Sequence, residues 1–116
     1  NIIFISSASA LKVSPSLSIY SSLKVSLINL TKCLAQEFSK KGIRVNSISP
    51  SLLYSDTLKN LKKKLTREQY IKLKSDHLNG FGNYSDVKNI VMLLLSKKSK
   101  WITGSNIVVD GGYSNT

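Results

Sequence analysis

The sequence predicts an α/β fold built on parallel strands, and three observations carry that prediction. A short run of β-branched and aromatic residues, Ile2-Ile3-Phe4-Ile5, opens the chain. A long segment over residues 19–40 places apolar side chains at helical spacing. A second short run, Ile43 to Ile48, follows it. Two strands joined by a helix of that length form a βαβ unit with parallel strands and a right-handed crossover.

The elements read as follows. Residues 2–6 form a buried strand. Residues 8–17 form a loop of small residues, broken by Pro15. The helix over 19–40 carries the stripe Ile19, Leu23, Leu27, Leu30, Leu34 and Phe38. Lys40 and Lys41 suit the negative end of its dipole, and Gly42 suits a left-handed stop. The strand over 43–48 ends at Pro50. Residues 56–75 form one lysine-rich helical segment, with Asp56 as its N-cap. Gly80 and Gly82 flank Phe81 in a loop. Ser85 caps a helix over 85–97, with an apolar run from Ile90 to Leu95, and residues 107–109 form the last strand. Asp110-Gly111-Gly112 then reads as a turn. No repeat or linker divides the chain, so residues 1–116 read as one domain.

Composition narrows the function classes. The single cysteine, Cys33, excludes an internal disulfide and suits a reducing cytoplasm; its place in the helix predicts a buried, inert thiol. The lone histidine, His77, has no Cys or His at ligand spacing, so it reads as a surface or lid residue and no metal site is expected. No apolar run reaches membrane-spanning length, and the first residues lack the pattern of a signal peptide. The net charge is +11, with lysines concentrated at Lys59, Lys62, Lys63, Lys64, Lys72 and Lys74. Such a patch can bind nucleic acid or an acidic partner. With no nucleic-acid module or aromatic platform beside it, a solvated helix face is the simpler reading.

The chemistry-bearing group is Ser7, Tyr20 and Lys24. Tyr20 and Lys24 stand one helical turn apart, on one face. A lysine ammonium beside a phenol favours the phenolate, which suits a tyrosine to general acid/base work near neutral pH. Ser7 follows the first strand, which would deliver its hydroxyl to the same place. Alone, the spacing also fits a surface tyrosine and a solvated lysine.

The surroundings favour the chemical reading. The stretch Ile5-Ser6-Ser7-Ala8-Ser9-Ala10, followed by Tyr20-Ser21-Ser22-Leu23-Lys24, resembles the active-site segment of the short-chain dehydrogenase/reductase family. The resemblance continues through Gly42-Ile43-Arg44-Val45-Asn46-Ser47-Ile48-Ser49-Pro50 and closes with Ile102-Thr103-Gly104-Ser105-Asn106-Ile107-Val108-Val109-Asp110-Gly111-Gly112-Tyr113. It is nearest in flavour to the branch of 3-oxoacyl-carrier-protein reductases. It implies a Rossmann-like, doubly wound parallel sheet, with about three strands here. The family's glycine-rich phosphate loop has no counterpart among Gly42, Gly80, Gly82, Gly104, Gly111 and Gly112. The expectation is therefore the C-terminal half of such a domain, without the N-terminal cofactor-binding half and inactive by itself.

The resemblance also implies roles. Tyr20 would exchange a proton with the substrate oxygen, Lys24 would assist it and hydrogen-bond the nicotinamide ribose, and Ser7 would hold the substrate oxygen. Ser6 would pack or hydrogen-bond behind Ser7, and Asn46 would be structural. The loop Pro50-Ser51-Leu52-Leu53-Tyr54-Ser55 would hold the nicotinamide carboxamide. There Pro50 is retained and Leu53 offers backbone groups. Ser55 keeps a hydroxyl, with Thr57 as a second candidate, and Ser51 replaces the family's glycine. Leu58, Leu61, Leu65 and Tyr70 line a substrate pocket or belong to the core.

The implied cofactor is NAD or NADP. The implied substrate is a small carbonyl or alcohol, free or carrier-bound, with Lys40 and Lys41 as candidate contacts for an acidic carrier. The implied assembly is a homodimer or homotetramer in which the Tyr20 helix takes part. The competing readings are a non-catalytic remnant or partner-dependent half-domain, and a basic nucleic-acid-binding module.

Overall fold

The computed structural model describes residues 1–13 and 15–116. Ser14, inside the predicted 8–17 loop, lies outside the described residues. Three strands, β1 (Ile2–Ile5), β2 (Val45–Pro50) and β3 (Asn106–Val109), form one sheet in the order β1-β2-β3. Both pairings are parallel: Ile2 faces Val45 and Ile5 faces Ile48, while Ser47 faces Asn106 and Pro50 faces Val109. All three strands therefore end on the same edge, as the α/β prediction requires.

The central strand β2 is buried on both faces, as a covered parallel strand must be. Its polar residues are satisfied inside. Ser47 and Ser49 both donate to Asn106 Oδ1, at 2.9 and 2.8 Å. The Asn46 amide donates to the Ile102 carbonyl at 2.9 Å and its oxygen accepts from the Ser105 amide at 3.1 Å. That satisfaction is what permits polar groups at such depth, and it fits the structural role expected of Asn46.

Helix α1 (Ser18–Phe38) connects β1 to β2 and runs on through a short 3-10 turn, Ser39–Lys41. Gly42 ends it in the left-handed region at φ 67°, as its position predicts. Helices α2 (Asp56–Lys64) and α3 (Arg67–Ser75) follow β2, and α4 (Tyr84–Leu95) precedes β3. The Arg44 guanidinium closes the end of α4, donating to the Leu94, Ser96 and Ile102 carbonyls.

Several expectations need correction. Within the 8–17 loop, Ala8–Ala10 form a 3-10 turn. The 56–75 segment is two helices, because Leu65 is extended and Thr66 starts α3 with a capping box through Gln69. The cap of α2 is Ser55, not Asp56: Ser55 Oγ accepts from the Leu58 amide at 3.3 Å. Helix α4 starts one residue before Ser85. There the Asp86 carboxylate accepts from the Asn83 amide at 2.6 Å.

The apolar stripe of α1 is also displaced from the core. Thr31 and Ala35 are the buried residues, because small side chains let a helix approach a sheet closely. Ile19 and Leu23 are 78% and 63% exposed, and the larger apolar residues leave an open face. Cys33 lies on exposed helix surface and is not the buried thiol expected.

Candidate active site

The carboxyl edge of the sheet carries the candidate site, because β1 delivers Ser6 and Ser7 there and β2 delivers Pro50 and Ser51. Helix α1 crosses the end of β1. Lys24 reaches back from it, its Nζ donating to the Ile5 carbonyl at 2.8 Å. Ser6 makes the return contact, its buried hydroxyl donating to the Lys24 carbonyl at 2.7 Å. The pair fastens strand to helix: Ser6 is buried as expected, and its hydrogen bond goes to Lys24, not to Ser7.

The Lys24 ammonium lies 5.6 Å from the centre of the Tyr20 ring, the one-turn proximity that the spacing predicts. Tyr20 itself is 45% exposed, open to a solute at the sheet edge. Ser7 caps the Ala8–Ala10 turn, its Oγ accepting from the Ser9 amide at 3.2 Å. That bond occupies a lone pair and leaves the Ser7 O–H able to donate. No hydrogen bond links Ser7 directly to Tyr20 or Lys24 among the described residues.

The 50–55 loop leaves β2 along a defined path. The Ser51 amide donates to the Val109 carbonyl at 3.2 Å. Leu53 forms a parallel bridge with Gly82, in which the Gly82 amide donates to Leu52 and the Tyr54 amide to Gly82. In that pattern the amide and carbonyl of Leu53 itself face away from Gly82. The carbonyl accepts from Ser55 Oγ at 3.0 Å, so Ser55 shapes the loop as well as capping α2. Ser51 keeps an ordinary backbone, since Ser16 alone among described non-glycine residues has positive φ. Leu58, one of the pocket candidates, is core.

Residues 1–114 match the family model described as enoyl-(acyl carrier protein) reductase. Dehydrogenase/reductase SDR family member 4 of Sus scrofa is 35% identical over 115 residues, covering 99% of this chain and 41% of that protein. The chain belongs to the short-chain dehydrogenase/reductase family.

Human 3-oxoacyl-[acyl-carrier-protein] reductase is 37% identical over 112 residues, covering 97% of this chain and 44% of that protein. Among solved structures, 4-hydroxyisoleucine dehydrogenase complexed with NADH superposes with a TM-score of 0.90 at 34% identity, over 99% of this chain and 47% of that one. ElxO with NADP bound gives 0.84 at 30%, over 99% and 46%. The chain thus spans less than half the length of these relatives. It also has the α/β, three-stranded parallel arrangement that the resemblance implies.

His77 is not the surface or lid residue expected. His77 is buried, with a relative exposure of 3%. Its ring stacks on Tyr113 at 4.5 Å and meets Phe81 edge-on at 5.0 Å. Its nitrogens lie 2.8 Å from the Leu73 carbonyl and 2.8 Å from Ser51 Oγ. The four-residue spacings to Leu73 and Phe81 were visible in sequence, but the contact with Ser51, 26 residues away, was not. Burial and the charge of Asp76 push the Tyr113 hydroxyl above its ordinary range. The Lys12 ammonium, 4.4 Å from the Tyr113 ring centre, donates to the Tyr113 carbonyl at 3.2 Å.

Proposed function

We propose that the protein to which this chain belongs is an NAD- or NADP-dependent oxidoreductase that interconverts a carbonyl and an alcohol. The observation that carries the reading is the position of Lys24: bonded to the Ile5 carbonyl at the end of β1 and beside the Tyr20 ring. A lysine so anchored keeps its charge 5.6 Å from the Tyr20 ring centre, one turn along the helix.

Tyr20 passes a proton between its hydroxyl and the substrate oxygen. Lys24 stabilises the phenolate form, and its ammonium retains donors for a ribose hydroxyl. Ser7 donates its free O–H to the same substrate oxygen. The dinucleotide, when bound, supplies or accepts the hydride.

The fit to this chain is to the nicotinamide end. Leu53 turns an amide and a carbonyl away from its bridge partner, and the carbonyl keeps a second lone pair beside its bond from Ser55 Oγ, which suits a carboxamide needing both a donor and an acceptor. Pro50, Ser51 and Ser55 shape that loop. No glycine-rich loop among the 116 residues cradles a pyrophosphate, so we expect the chain by itself to be inactive.

The substrate is a small carbonyl compound or alcohol, with carrier-bound acyl groups suggested by the reductases that the chain resembles. The open apolar face of α1 supports a homodimer or homotetramer. A free cysteine fits a reducing, cytoplasmic setting. No helix of the described residues is long and apolar enough to cross a membrane. The alternative reading is a half-domain without catalysis of its own.

The test is oxidation of NADH and NADPH by the native protein at its natural length, against a panel of ketones, aldehydes and acyl thioesters. Carbonyl-dependent turnover supports the enzyme. No turnover across the panel leaves the half-domain reading.

A further inference from the structure

His77 is chemically over-determined for a residue that merely fills space. Its Nδ1 lies 2.8 Å from the Leu73 carbonyl, an oxygen that can only accept, so Nδ1 carries a proton. In the neutral ring that leaves Nε2 as an acceptor, and the Ser51 hydroxyl, 2.8 Å away, is its donor. One main-chain carbonyl thus sets the direction of both hydrogen bonds. The ring cannot swing out of this arrangement easily, because Tyr113 stacks on it and Phe81 meets it edge-on.

Ser51 is in turn held at two points. Its amide bonds to the Val109 carbonyl of β3 and its side chain to His77 at the end of α3. Glycine at this position would have no side chain to hold. The serine and the histidine therefore make a matched pair, joining the loop after β2 to the α3 end and the C-terminal turn.

We propose that His77 is a positioning residue: by accepting the Ser51 hydroxyl it sets the path of the Pro50–Ser55 loop, and with it the Leu53 backbone groups that meet the nicotinamide carboxamide. This rests on the coenzyme reading above.

The experiment compares native-length protein with Ser51→Ala, His77→Phe, the double variant and His77→Gln. Phenylalanine keeps the stacking without an acceptor, and the glutamine oxygen can reach the place of Nε2. Coenzyme KM and kcat are measured, together with the ¹⁵N spectrum of the imidazole in the unmodified protein. The expected result is a protonated Nδ1. Ser51→Ala and His77→Phe should each raise coenzyme KM roughly threefold to tenfold, the effect of one hydrogen bond. The double variant should be no worse than either single change, and His77→Gln should stay within about twofold of the parent.

A protonated Nε2 with bare Nδ1, additive effects in the double variant, or an unchanged KM in Ser51→Ala would each overturn the inference while leaving the coenzyme reading standing. Absence of any coenzyme turnover in the unmodified protein would overturn both. The small Ser51→Ala change keeps the test decisive if His77→Phe does not fold.

Discussion

Lys24 and Ile5, nineteen positions apart, are joined by a 2.8 Å bond from an ammonium to a strand carbonyl. That bond fixes where the proposed general acid/base pair would sit. Without it, Lys24 would be a long solvated side chain with several free rotamers. With it, the charge is held at the carboxyl edge of β1, on the turn of α1 that carries Tyr20.

Lys24→Met in the native-length protein removes the charge and keeps most of the stem. A fall in kcat of about 100-fold or more is expected, within the range for a lost acid/base partner, together with a higher coenzyme KM. Lys24→Arg should recover little, because a planar fork does not reproduce the single contact to Ile5. Steady-state kinetics of both variants check this.

Arg44 tests the packing behind the site. Its guanidinium donates to three carbonyls, including Leu94 at 2.6 Å, and so closes the end of α4. Arg44→Leu should lower stability by about 2–3 kcal/mol, the value of charged hydrogen bonds with their acceptors left unmet. The measurement is urea unfolding, with a lower midpoint at unchanged slope.

Gly111 and Gly80 both have positive φ, at 60° and 73°, but differ in surroundings. A Cβ on Gly111 would lie 2.9 Å from the Gly80 carbonyl oxygen, whereas one on Gly80 meets nothing within 4 Å. Gly80→Ala should therefore cost about 1–2 kcal/mol, the left-handed penalty alone. Gly111→Ala should cost clearly more, since backbone must shift. Paired melts of the two variants decide it.

Much of this architecture was legible in sequence. The run at residues 2–5, the helix ending at Gly42 and the strand ending at Pro50 follow from local pattern, and their strands pair as a βαβ unit should. The Tyr20–Lys24 spacing survives folding because a helix translates sequence distance directly into space. Three features were not legible in this way. Helix α1 buries Thr31 and Ala35 while Ile19 and Leu23 stay open, because close approach to a sheet favours small residues over large apolar ones. His77 owes its burial to Ser51 and Tyr113, partners that no local periodicity can reveal. The break at Leu65 was present in sequence as the Thr66 and Gln69 capping pair, but was outweighed by the lysine-rich helical composition around it.

Acid should act through Asp110. Burial alone would raise its carboxyl, but hydrogen bonds from Ser114 and Gly112, with His77 nearby, outweigh it and hold it below the usual range. A depressed carboxyl contributes stability that is present above its unfolded pKa, about 3.9, and is lost as pH falls through the folded value. Thermal melts should thus lose stability below about pH 4. Asp110→Asn should be less stable at neutral pH, with a flatter acid limb. Equal acid loss in both proteins would remove Asp110 from the explanation.

Tyr20→Phe tests the proposed proton transfer directly, because it removes one oxygen and leaves the ring beside Lys24. In native-length protein with NADH or NADPH and a carbonyl that the unmodified protein reduces, the expected result is a kcat loss of about 10²–10⁴-fold with coenzyme affinity largely kept. An unchanged kcat would rule Tyr20 out as the acid, since the proton would then come from another group.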